Sequence, residues 1–249
     1  MNRSPPQLRV ALLLGAAGAL ATLALFPYAL ALQPGALEKL AIAPSLVIGS
    51  QSLANGVLSF LLAWAGLRLG EPLGLGSPWL TYSLYANRPK PENSHWPLAI
   101  GVGLLGAITL LGLITLLGHP IITPATHLTV PAPWQGMLAS FYGGIVEEIQ
   151  LRLFLLTLIA WLLMRLHVSR PLALGIAIVA AALLFGAGHL PLAAKLTTLD
   201  AAAIARVVGY NALLGLGFGW LYCKRGIEHA MIAHFCADFV LHVAAPALA

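Results

Sequence analysis

Residues 134–163 read WQGMLASFYGGIVEEIQLRLFLLTLIAWLL, an apolar run carrying three charged side chains near its middle. Crossing a bilayer takes ~20 mostly apolar residues, so this run is long enough to span one. Glu147, Glu148 and Arg152 then lie where an ionisable group is costly and usually marks a function. At 100° per residue Glu148 and Arg152 share a face as i,i+4 neighbours and can pair, while Glu147 points about 100° away. Glu148 and Arg152 are thus read as holding the site together. Glu147, with less neutralisation, is read as the base facing the cavity.

Outward from this run the whole chain has the same character. It is 249 residues long, 59% hydrophobic and 8% charged, with a mean hydropathy of +0.89. A soluble domain has about 25% charged residues. Apolar stretches between polar or proline-rich breaks fall at 10–32, 45–67, 97–118, 134–163, 171–194, 205–222 and 227–246. The expectation is an all-α, polytopic membrane helix bundle of about seven transmembrane helices. Residues 1–249 form a single integral membrane domain, with no room for a soluble one. The first apolar run is read as an uncleaved helix, since ~20 apolar residues is long for a signal peptide.

The 13 basic residues are scattered at segment ends and form no stripe or tail, which excludes nucleic acid as the partner and leaves the lipid bilayer. With the N-terminus inside, Arg3, Arg9, Arg68, Arg88, Lys90, Arg165, Arg170, Lys224 and Arg225 are cytoplasmic, against Lys39, Lys195 and Arg206 outside. This asymmetry predicts an N-in, C-out arrangement. Cys223 and Cys236 make neither a disulfide framework nor a thiol-redox motif. Gly101-x-Gly103-x-x-Gly106 matches a dinucleotide fingerprint only in its letters, because no strand precedes it. Close helix packing is its expected use, and that of Gly215, Gly217 and Gly219. Compact loops favour a bacterial inner (plasma) membrane.

Two further spans carry polar groups. Phe185 and His189 stand four apart, with Gly186 and Gly188 thinning the helix beside them. His234, Asp238 and His242 form one stripe, in which a carboxylate accepting from one ring nitrogen would leave the other free for chemistry. Cys236 points nearly opposite. His95, His119, His127, His167 and His229 sit in loops or near helix ends and are given no role.

Glu147-Glu148-x-x-x-Arg152, Phe185-x-x-x-His189 and His234-x-x-x-Asp238, in that order, resemble the CPBP intramembrane proteases, the group of the type II CAAX prenyl endopeptidases and bacteriocin-processing enzymes. The resemblance covers about residues 134–246, the catalytic helices; the first three spans match only as generic membrane helices. It implies an intramembrane endopeptidase acting on a membrane-associated or C-terminally processed protein. Glu147 and His189 would activate water, with His234 and Asp238 supporting the oxyanion and Glu148, Arg152 and Phe185 in supporting positions. An ionised aspartate cannot donate to an oxyanion, so orienting the His234 ring is the role read for Asp238.

The favoured mechanism needs no cofactor. Glu147, His189, His234 and Asp238 would be the ligands of a zinc ion if there is one. A proton-coupled transporter or a non-catalytic immunity or assembly protein of the same fold are the alternative readings. One difficulty accompanies the protease reading: with upright helices, His189 and His234 come out roughly 15 Å apart in depth.

Overall fold

The computed structural model describes residues 7–38, 41–86, 88–91, 94–117 and 131–248. Arg3, Lys39, His119 and His127 lie outside the described residues. No strand occurs among the described residues. The α-helices are α1 (Leu8–Leu32), α2 (Pro44–Gly70), α3 (Pro78–Leu84), α4 (Trp96–Leu117), α5 (Pro133–Tyr142), α6 (Thr157–Arg165), α7 (Arg170–Gly188), α8 (Leu190–Leu196), α9 (Ala201–Arg225), α10 (Ile227–Phe239) and α11 (Ala245–Leu248). Between α5 and α6 the backbone stays helical but widens into π turns over Gly143–Glu147 and Ile149–Leu156. A third π turn, Val240–Ala244, joins α10 to α11.

Among the described residues six stretches are long and apolar enough to cross a membrane: Leu8–Leu32, Pro44–Leu73, Trp96–Leu117, Arg170–Leu196, Ala201–Arg225 and Ile227–Leu248. The helical path 133–165 is the remaining stretch expected from the sequence, set apart by its π turns and its charges. Backbone polar groups in hydrocarbon must be satisfied within the segment, which is why apolar runs of this length become helices. Prolines mark several starts: Pro44, Pro78, Pro133 and Pro171 stand in the first turn of their helices, where a missing N–H costs nothing. Asp200 caps α9 by accepting from the Ala203 N–H at 2.6 Å.

Polarity is inverted relative to a water-soluble protein. Leu20, Leu53 and Leu105 are each 67% exposed, whereas Glu148 and Arg152 are 0% exposed. An apolar outside around buried charges is the arrangement a bilayer selects. Small residues let the helices close on one another. A Cβ on Gly103 of α4 would collide with the Ala233 carbonyl of α10, and one on Gly186 of α7 with the Val208 carbonyl of α9. Gly106, Gly215, Gly217 and Gly219 also face neighbouring side chains. Gly101 and Gly188, by contrast, face open space, so the packing expected of Gly101 is absent. Both cysteines are free thiols.

Candidate active site

The site begins with two adjacent glutamates that the helix sends to different places. Glu148 is fully buried, and its Oε1 lies 2.7 Å from Arg152 Nη1, so the i,i+4 pair expected from the sequence forms even though the turns between are π. The guanidinium is held on its faces by Phe185, 4.6 Å from the ring centre, and Phe218, 5.3 Å away. Arg152 Nη2 also donates to the Gly215 carbonyl at 3.4 Å. Glu147 makes no such pair, and its side chain keeps 23% exposure against 0% for Glu148. That difference separates a carboxylate built into the core from one open to a reactant.

α10 is brought against the glutamates by Gly143 and Gly144, both buried. A side chain at Gly143 would occupy the space of Asp238 Oδ2 and crowd His234 Nε2, and one at Gly144 would press on Met231 and Phe235. Gly143 and Gly144 stand four residues before Glu147 and Glu148 respectively. The rule for small residues in membrane helices identifies this pair, yet the sequence reading did not use it.

His234 is held on three sides. Its Nδ1 donates to Glu148 Oε1 at 2.7 Å, its ring stacks on Phe218 at 4.6 Å, and Phe185 stands edge-on at 5.4 Å. Its Nε2 is left between two carboxylates, 3.6 Å from Glu147 Oε2 and 3.6 Å from Asp238 Oδ1. Neither distance is a hydrogen bond. The orienting acceptor expected of Asp238 is therefore Glu148. Asp238 instead lies at the nitrogen left for chemistry, because one helical turn along α10 carries its carboxylate toward Nε2 while Nδ1 faces the neighbouring helix.

The stripe continues as expected. Asp238 Oδ1 is 4.0 Å from His242 Nε2, and His242 Nδ1 meets the Tyr28 hydroxyl at 3.1 Å, with the two rings edge to face. Tyr28 comes from α1, so the leading spans are more than generic scaffold. A single tyrosine in an apolar run carries no sequence signal of this. Gln135 ties α5 to the same part of α1 by donating to the Pro27 carbonyl at 3.0 Å. Phe218 was likewise missed, being one aromatic among apolar neighbours.

His189 sits at the junction of α7 and α8. Its Nδ1 is 2.9 Å from the Phe185 carbonyl, which can only accept, so the proton is on Nδ1 and Nε2 presents its lone pair. The ring stands edge-on to Phe185 at 4.9 Å. His189 and His234 thus touch one phenyl ring from different helices, and a 15 Å separation in depth is excluded. What fails is the assumption of upright helices with level ends; the span carrying His189 also runs on through α8 to Leu196.

Phe185 is therefore in contact with Arg152, His189 and His234 at once. Glu147, His234 and Asp238 are brought together directly, and His189 joins them through Phe185. Among the described residues no group of three or more His, Cys, Asp or Glu side chains is arranged to hold a metal ion. Of the residues given no role, His229 is buried and stacks on Trp96 at 4.4 Å, with Nε2 donating to the Ser94 carbonyl. His95 and His167 hold positive φ beside helix ends.

The family model described as type II CAAX prenyl endopeptidase, Rce1-like, matches residues 129–240. No curated protein and no solved structure matches the chain. The matched segment contains Glu147, Glu148, Arg152, Phe185, His189, His234 and Asp238, and stops short of His242. Together with the clustering of those side chains, the match supports membership of this chain in the CPBP family of CAAX-type intramembrane endopeptidases.

Proposed function

We propose that the chain hydrolyses a peptide bond of a membrane-associated or C-terminally processed protein, with Glu147 as the base. The observation that carries this is the contrast within the Glu147–Glu148 pair, one carboxylate open beside His234 Nε2 and the other sealed in an ion pair. Glu147 takes a proton from water, aided by the lone pair of His189 Nε2, as the water oxygen bonds to the carbonyl carbon. His234, its ring fixed by Glu148 and Phe218, donates from Nε2 to the developing oxyanion. Asp238 keeps that nitrogen charged. The proton on Glu147 then passes to the leaving amine nitrogen as the C–N bond breaks. No step requires a metal. Glu147, His189, His234 and Asp238, the donors a zinc ion would need, are not arranged among the described residues as a ligand set.

The proposed setting is a bacterial inner membrane with the N-terminus inside, supported by the distribution of Lys and Arg. Cleavage of a peptide library by the purified, reconstituted protein, followed by mass spectrometry, tests the reading. Glu147→Gln and His189→Gln should abolish cleavage while Cys236→Ala retains it, and chelator should leave the rate unchanged. A run of titratable groups, Tyr28, His242, Asp238, His234 and Glu147, favours a second reading as a proton path. Loss of proton flux into liposomes in the same variants, with no peptide cut by wild type, would establish that alternative instead.

A further inference from the structure

Away from the catalytic cluster, the C-terminal end of α9, the N-terminal end of α10, α3 and segment 88–91 enclose an open cavity of about 580 Å³. This lies within the size range of small-molecule sites. Arg88, Lys90, Lys224 and Arg225 all line it, and among the described residues no carboxylate does. Arg88 and Arg225 are half-buried, and Lys90 and Lys224 are exposed. None of the four has an ion-pair partner among the described residues. Glu228, on α10 beyond the wall, is engaged elsewhere: its Oε1 accepts from the Ser77 hydroxyl at 2.7 Å and from the Trp79 and Leu80 N–H groups at 2.9 Å.

Placement of cations on one side of a membrane follows from topology. Topology does not require that four of them share one concavity with no ion-pair partner among the described residues. Other cations assigned to the same side are partnered. Arg68 lies over Trp64 at 5.1 Å and Arg165 over Trp161 at 4.7 Å, while Arg170 donates to the Leu73 carbonyl and Arg9 to the Leu84 carbonyl. The cavity sits where spans end, and Trp79, its ring tilted against that of Trp96 at 5.0 Å, gives it an aromatic flank. Basic pockets between helices at a membrane face suit phosphate-bearing headgroups.

We infer that this cavity binds a phosphate-bearing anion, either the headgroup of an anionic phospholipid or a soluble phosphate ester. No residue of the proposed protease chemistry lines it, so this site and that function stand or fall separately.

Native mass spectrometry of the detergent-solubilised full chain, equilibrated with phosphatidylglycerol or phosphatidylcholine, tests the site. Wild type should retain phosphatidylglycerol in preference. Arg88→Gln/Lys90→Gln/Lys224→Gln/Arg225→Gln should lose the preference, at about fivefold per neutralised charge. Lys90→Gln/Lys224→Gln, which changes only exposed side chains, should show a partial loss without any effect on folding. Arg68→Gln/Arg165→Gln should retain lipid as wild type does. Displacement of the lipid by glycerol phosphate identifies a soluble ester as the occupant, and resistance to it identifies the headgroup. Equal retention by wild type and the cavity variants, an equal loss in the Arg68/Arg165 variant, or no binding of either probe by wild type would each overturn the assignment.

Discussion

The two ends of α10 handle buried carboxylates in opposite ways. At the N-terminal end, Glu228 Oε1 accepts three hydrogen bonds, two of them from the first N–H groups of α3, and so fastens α3 to the bundle. Farther along, Glu147 and Asp238 face each other across His234 Nε2 at 3.6 Å each, a distance too long for a hydrogen bond. Several donors converging on one oxygen mark the first carboxylate as structural, even though its Oε2 has no hydrogen-bond partner among the described residues. The second pair is left with unspent capacity around a ring nitrogen, as a site needs if a reactant is to complete it. Glu148 belongs with Glu228 in this respect, although it is adjacent in sequence to Glu147.

Substitution can break this contrast in graded steps. The largest effect is expected at Glu147→Gln: cleavage should fall about 10²–10⁴-fold, the usual weight of a general base, with no change in the thermal unfolding midpoint. An equal drop in both activity and midpoint would make Glu147 a structural group after all. Glu148→Gln should do the reverse, costing about 3–5 kcal/mol because it strands the buried Arg152 charge. Loss of monodispersity in detergent or a large fall in melting temperature is the readout, and a stable but merely slow Glu148→Gln variant would contradict the division.

Glu228→Ala should cost about 1–3 kcal/mol, since three donors lose an acceptor, while cleavage per folded molecule stays at the wild-type level. The smallest effect is expected at Tyr28→Phe. It removes one hydrogen bond to His242, worth about 1 kcal/mol, and should slow cleavage less than tenfold while lowering the melting midpoint by only about 2–4 °C. A total loss of activity in Tyr28→Phe would move that hydroxyl from the edge of the site to its centre.

The apolar spans could be read from the sequence to within a few residues at most ends, because lipid forces every long apolar run into a helix. The Glu148–Arg152 pair and the His234–Asp238–His242 stripe were legible for a similar reason, as each lies within one helix and periodicity alone places its members together. Contacts between helices were not legible. Tyr28 reaches His242 from the far end of the chain, and Phe218 stacks on His234 from a helix with no motif. The pairing of His234 Nδ1 with Glu148 in place of Asp238 also depends on how α10 meets the π-turned segment, which no single-helix argument fixes.

The π turns at Gly143–Glu147 and Ile149–Leu156 have a further consequence, for how this segment tolerates change in length. Each π turn closes i→i+5 and so holds one residue more than an α turn. Deleting one residue from such a turn removes the surplus and lets it relax to α geometry, so the helix on either side keeps nearly its original phase. A deletion in the regular turns of α5 or α6 has no surplus to draw on and rotates one side by about 100° against the other. A one-residue deletion is therefore expected to be absorbed better in the π-turned segment than in the α-helices that flank it.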